Sequence, residues 1–125
     1  MSYNILVVDD SKTVRRMIAK ALEVAGIPLN QVHQAENGRE ALAVLEEEWI
    51  DLVLTDINMP EMDGMELVRT MAEGELLQTV PVVVVSTEGS EERISELKQR
   101  GIRGYLRKPV TPESIKTTVE GILGA

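Results

Sequence analysis

Cysteine is absent from the 125 residues, which excludes disulfide bonds and thiolate-held metal centres. Histidine occurs once, at His33. A lone imidazole on a predicted strand is far more often structural than catalytic. No apolar run approaches the ~20 residues of a membrane span. The opening MSYNILVVDD meets two aspartates too early for a signal h-region and lacks a basic n-region. A basic track for nucleic acid is missing as well: the net charge is −8, and the pairs Arg15-Arg16 and Arg107-Lys108 read as solvated side chains or local site residues. These absences lead to the expectation of a soluble, cytoplasmic protein with no nucleic-acid or membrane partner.

What is present alternates between two signals. The runs Ile5–Val8, Leu52–Leu54 and Val82–Val85 predict buried strands, and Val32–Ala35 and Gly104–Leu106 predict two weaker ones. Helical spacing separates them. Val14, Met17, Ile18, Ala21, Leu22 and Ala25 follow the i, i+3, i+4, i+7 pattern, closed by Gly26 as a left-handed C′ residue. Asn37 with Glu40 forms a capping-box arrangement for a second helix burying Ala41, Leu42 and Leu45. A third helix runs from about Gly64 into Met71. A fourth follows Ser90, carries Ile94 and Leu97, and stops at Gly101. The fifth has Thr111 as N-cap, Pro112 at N1 and an apolar stripe of Ile115, Val119, Ile122 and Leu123. Uninterrupted aliphatic strands imply burial on both faces of a parallel sheet. The expected fold is therefore α/β: a single domain over residues 1–125, with a doubly wound parallel sheet, (βα)5, and no output domain. Trp49, after the second helix, is expected to be a packing residue remote from the strand ends.

In such a sheet the ligand site lies beyond the carboxyl ends of the strands. Those ends carry Asp9-Asp10, Glu36-Asn37, Asp56, Ser86-Thr87 and Arg107-Lys108-Pro109. Singly, each has a bland explanation, because Asp, Ser and Thr are favoured caps and turn residues. Together they are harder to dismiss. Two carboxylates ~4 Å apart repel by about 4 kcal/mol at an effective dielectric near 20, so a gathering of Asp9, Asp10 and Asp56 calls for a cation. A hard divalent ion with oxygen ligands fits, and Mg²⁺ is usual where phosphate is handled. A carboxylate can then act as nucleophile to form an aspartyl phosphate. Asp56, on the central strand, is the best candidate, with Asp9 and Asp10 as metal holders. No GxxxxGK[ST] or GxGxxG is present. A haloacid-dehalogenase-like phosphatase needs a second Asp two residues after the nucleophile. That position is Asn58, whose amide cannot donate and retake a proton, so a turnover enzyme is disfavoured.

The motifs VVDDS, TDINMPEMDG, VVVST and GYLRKP, in that order and spacing, resemble the receiver domain of two-component response regulators over the whole chain, and most closely its single-domain, CheY-like chemotaxis members. The resemblance implies the flavodoxin-like strand order 2-1-3-4-5 and phosphorylation of Asp56 by a histidine kinase. It implies Mg²⁺ on Asp10, Asp56 and the carbonyl of Asn58, with Asp9 assisting through water. Lys108 would contact the phosphoryl group. Ser86 would be the switch hydroxyl, Thr87 being the alternative because adjacent hydroxyls leave a one-residue ambiguity. Tyr105 would be the aromatic switch, turning inward on phosphorylation and altering the face of helix four, strand five and helix five. Asn58 and Glu88 would modulate dephosphorylation. The family pattern also implies a cis peptide at Lys108-Pro109. Thr87 departs from the small residue usual there, and its branched side chain would narrow access to the site. The implied partners are a histidine kinase and a flagellar motor switch or other motility protein, with a monomer as the expected state. A phosphorelay carrier and a phosphorylation-independent interaction module remain alternatives.

Overall fold

Five strands alternate with five helices along the chain, β1 (Tyr3–Val8), α1 (Lys12–Val24), β2 (Leu29–Ala35), α2 (Gly38–Glu47), β3 (Leu52–Thr55), α3 (Gly64–Glu73), β4 (Val82–Ser86), α4 (Glu91–Gln99), β5 (Gly104–Arg107) and α5 (Pro112–Leu123). This computed structural model describes residues 2–87 and 90–124. The strands form one parallel sheet in the order β2-β1-β3-β4-β5, as expected. Every predicted strand and helix is present, with boundaries moved by a few residues. A 3₁₀ turn at Leu76–Gln78 was not anticipated.

Alternation along the central strands explains their unbroken apolar runs. Leu6, Val8, Val53, Val82 and Val84 face the layer of α2, α3 and α4, where they meet Ala41, Leu67, Val68, Met71 and Leu97. Ile5, Val7, Leu52, Leu54, Val83 and Val85 face the opposite layer and meet Ile18, Leu22, Ile115 and Val119 of α1 and α5.

The helices start where side chains can satisfy their first N–H groups. Ser11, Asn37, Asp63, Ser90 and Thr111 are the N-caps, each accepting from the backbone N–H three residues on. The box predicted at α2 closes differently. Asn37 Oδ1 accepts from Glu40 N–H at 2.9 Å, but the Glu40 carboxylate takes the N–H of Glu36 at 3.1 Å rather than that of the cap itself. Gly26 follows α1 with φ +78°, the left-handed conformation predicted for it.

Trp49 is not a packing residue: 78% of it is exposed. The chain leaves α2 in an extended conformation at Glu48, and Ile50 takes the buried position instead. The indole Nε1–H donates to Asp51 Oδ1 at 3.0 Å, while Asp51 Oδ2 accepts the N–H of Asn4 at 2.8 Å.

Candidate functional site

Register brings the predicted strand ends into one row. Val8 pairs with Thr55 between β1 and β3, and the Asp56 N–H extends that ladder to the Val8 carbonyl at 2.9 Å. Ser86 pairs with Arg107 between β4 and β5, and the Lys108 N–H donates to the Ser86 carbonyl at 2.9 Å. Asp9, Asp10, Asp56, Ser86 and Lys108 thus leave neighbouring strands at the same edge.

Asp9 is almost wholly enclosed, at 1% exposure, and all its polar atoms are bonded. Its N–H donates to the Ala35 carbonyl at 3.1 Å. Its carbonyl accepts from Arg15 Nη1 at 2.6 Å, Oδ1 from Ser11 N–H at 2.9 Å, and Oδ2 from Lys108 Nζ at 2.7 Å. Asp56 is half-buried; its Oδ1 accepts from Ile57 N–H at 2.8 Å and its Oδ2 from Lys108 Nζ at 3.2 Å. Lys108 therefore bridges both carboxylates and lies closer to Asp9, although the water-mediated supporting role expected for Asp9 gave no hint of a direct bond. Asp10 is exposed. Carboxylate oxygens of Asp9, Asp10 and Asp56 lie within 4.8 Å of one another.

Burial dominates the electrostatics of Asp56. Removal from water raises its pKa above the usual 3.8, helped by the negative charge of Asp9, and the Ile57 N–H and the Lys108 ammonium offset this only in part. For Lys108, burial works to lower the pKa. The hydrogen bond to Asp9 and the charges of Asp56 and Asp9 outweigh it, so the group lies above its ordinary 10.5 and stays an ammonium at neutral pH.

The loop after β3 is built tightly around Asp56. A Cβ on Gly64 would collide with the Asp56 carbonyl oxygen and sit 2.9 Å from the Ile57 Cα. Gly64 opens α3, and its N–H donates to the Ile57 carbonyl at 2.7 Å. Its role is close approach, and Asp63 beside it is the N-cap of α3. Glu61 adopts φ +63°, a left-handed conformation costly for a side chain with a Cβ. Its carboxylate accepts from Asn37 Nδ2 at 3.2 Å, and Gly38 N–H donates to the Met62 carbonyl at 2.9 Å. These bonds tie the loop to the start of α2.

Other predicted residues fall as follows. Asn58 is exposed, two positions beyond Asp56. Ser86 is buried at the end of β4, while Thr87 is exposed. Thr87, Lys108, Pro109, Val14 and Met17 line a groove of about 280 Å³ beside the site. Glu88 lies outside the described residues. The Lys108-Pro109 peptide is cis, as the resemblance implied. Tyr105 sits opposite Val84 and packs on the α2–α3–α4 side of the core. Its hydroxyl is buried and, among the described residues, has no hydrogen-bond partner.

The sequence left Arg15 open as a solvated side chain or a local site residue, and the structure sets it beside Asp9. It is 7% exposed and bonds Asp9 and Gln34. Helical spacing held the clue, since Arg15 precedes Ile18 by three residues and Leu22 by seven, on the inward face of α1.

The donor set suits a hard divalent cation. Three carboxylates converge against the single ammonium of Lys108, leaving an excess of negative charge and only oxygen ligands. His33 is half-buried on the edge strand β2, away from this cluster.

Comparison with known proteins agrees with this arrangement. The sequence model of the response regulator receiver domain matches residues 5–120. A chemotaxis protein CheY homolog of Campylobacter jejuni is 38% identical over 121 residues, covering 96% of this chain and 92% of the relative. Chemotaxis protein CheY-3 of Vibrio cholerae is 36% identical over 118 residues, covering 94% of this chain and 89% of its own. Among solved structures, the chemotaxis response regulator CheY4 of Vibrio cholerae superimposes with a TM-score of 0.84 at 34% identity, over 98% of this chain and 99% of that one. Five parallel strands with their carboxyl ends drawn around one acidic cluster, together with these matches, place the chain in the response regulator receiver domain family, among CheY-like signalling proteins whose general function is that of a phosphorylation switch and not of a turnover enzyme.

Proposed function

We propose that Asp56 is the phosphoacceptor of a chemotaxis or motility switch and takes its phosphoryl group from a phosphohistidine of a histidine kinase. An Asp56 carboxylate oxygen forms the new O–P bond as the P–N bond breaks, and the imidazole departs with the electron pair. The observation that carries this reading is the Lys108 ammonium held at 2.7 Å from Asp9 and 3.2 Å from Asp56. A fixed cation at the mouth of the nucleophile offsets the charge carried by an incoming phosphoryl group. Asp10, Asp56 and the Asn58 carbonyl are the residues we assign to Mg²⁺, with Asp9 supporting them. When bound, Mg²⁺ would neutralise phosphoryl oxygens and lower the repulsion between two anions.

Phosphorylation adds about −1.5 to −2 charges and strong acceptor oxygens at Asp56. Ser86 is our switch donor, because it is buried at the strand end and its carbonyl is tied to Lys108. Thr87 narrows the mouth of the groove. Tyr105 reports the change at the face of α4, β5 and α5, where a motility protein binds; the chemotaxis names of the relatives support that choice. Asn58 and Glu88 set the rate at which water attacks the aspartyl phosphate.

Incubation with acetyl phosphate and Mg²⁺, followed by intact mass measurement, tests this reading. One hydroxylamine-labile phosphoryl adduct is expected, absent from Asp56→Asn. An unmodified wild-type protein would refute the phosphoacceptor assignment.

A further inference from the structure

We infer that Arg15, on α1, is a positioning residue for the cation site, acting through the peptide bond between Asp9 and Asp10. This inference rests on the reading of Asp9, Asp10 and Asp56 as the Mg²⁺ site.

The buried guanidinium serves two acceptors, one just past the end of β1 and one on β2. Nη1 donates to the Asp9 carbonyl at 2.6 Å, and Nε donates to the Gln34 side-chain carbonyl at 2.9 Å. The Asp9 carbonyl belongs to the planar peptide that leads into Asp10. Fixing that oxygen fixes the plane, and with it the direction in which the Asp10 Cα leaves β1. Asp9 is held independently at its N–H and both carboxylate oxygens. Asp10 is exposed, so the peptide plane is the constraint that brings its carboxylate to within 4.8 Å of the other two.

Arginine suits this task better than lysine. Its planar fork holds N–H donors on separate nitrogens in a fixed geometry, whereas an ammonium presents a single nitrogen on a flexible stem. Among the described residues Arg15 makes no ion pair with a carboxylate, so a charge-pairing role does not explain its burial. Two effects of its removal oppose each other. Losing a positive charge near three carboxylates favours cation binding. Freeing the Asp9 carbonyl disfavours it, because a buried unpaired carbonyl turns toward water and carries Asp10 with it. We expect the second to win, because metal binding needs several oxygens converging on one point.

Calorimetric titration of Mg²⁺ into wild type, Arg15→Met, Arg15→Lys and Gln34→Ala tests this, with circular dichroism and urea midpoints recorded alongside. Arg15→Met is expected to bind Mg²⁺ at least fivefold more weakly, Arg15→Lys to recover part of the loss, and Gln34→Ala to fall between wild type and Arg15→Met. Ile18→Val, buried on the same helix, controls for packing and should lower stability without changing the affinity. Unchanged or tighter binding in Arg15→Met overturns the inference, as does a weakening in Ile18→Val equal to that in the arginine variants. If Arg15→Met does not fold, Arg15→Lys decides: weaker binding supports positioning, and wild-type affinity overturns it. A wild type that binds no Mg²⁺ refutes the site assignment itself, and is told apart because it fails before any variant is compared.

Discussion

Asp56 is held against its own ionisation. Its folded pKa is raised, chiefly by burial. A carboxyl with a raised folded pKa favours the folded state below its unfolded pKa, and that advantage is lost as pH rises through the folded value. At neutral pH the charged group therefore costs stability. Asp56→Asn should raise the unfolding free energy at pH 7, in metal-free buffer, by on the order of 1 kcal/mol. The gain should shrink as pH falls toward about 4. Urea melts at both pH values check this, and an Asn variant weaker than wild type at pH 7 would contradict it. Lys108 behaves in the opposite sense. Its contribution is complete below the unfolded value and is lost only as pH rises through its raised folded pKa. Lys108→Met leaves Asp9 and Asp56 without their shared cation, so it should lose about 1–3 kcal/mol. Millimolar Mg²⁺ should restore part of that loss, measured as a shift in thermal midpoint larger than the wild-type shift.

At the scale of elements, the contact between α3 and the end of β3 sets the geometry. Gly64→Ala places a methyl against backbone atoms of Asp56 and Ile57 that cannot step aside. It should cost roughly 2–4 kcal/mol and depress phosphorylation even where the variant folds. Gly74→Ala is the control. A Cβ there meets only the Thr70 carbonyl at 3.6 Å, so its effect should stay within about 0.5 kcal/mol. Equal destabilisation of the two variants would remove the close-approach argument.

Helix and strand existence was legible because periodicity and caps report local demands. The central runs Ile5–Val8, Leu52–Leu54 and Val82–Val85 are buried on both faces and could hardly be read otherwise. The edge strand β2 was seen only from Val32, because its burial is partial and its first residue, Leu29, joins the sheet through Tyr3. The acid cluster and Lys108 followed from the strand-end rule. The Glu61 link to Asn37 and the reason for Gly64 depend on contacts across the fold, and no local pattern states them; for Arg15 the helical spacing gave the inward face but not its partners Asp9 and Gln34. Trp49 was misjudged because an indole after a helix looks like core, while the exit path of the chain at Glu48 decides the matter.

For the whole molecule, two apolar layers enclose a sheet whose reactive groups gather at one edge. Trp49 follows α2 and precedes the first residue of β3, at the amino end of the strand, whereas Asp56 follows its carboxyl end. Since Trp49 is the sole tryptophan and is largely exposed, its emission should resemble that of a solvated indole and change little with Mg²⁺ or phosphorylation. A strong quench on adding Mg²⁺ would reveal a coupling between the two ends that the packing does not suggest.

The Asp56 N–H, bonded to the Val8 carbonyl, also has a consequence in time. That bond is the last rung of the ladder at the centre of the sheet, between two strands buried on both faces. Its hydrogen should exchange with solvent only when the sheet as a whole opens, among the slowest in the protein. The backbone at Asp56 is thus tied to the central sheet, while Asp10 and Asn58 are exposed to solvent. If Asp56 is the phosphoacceptor proposed above, modification and restoration of its carboxylate require no part of the central sheet to unfold.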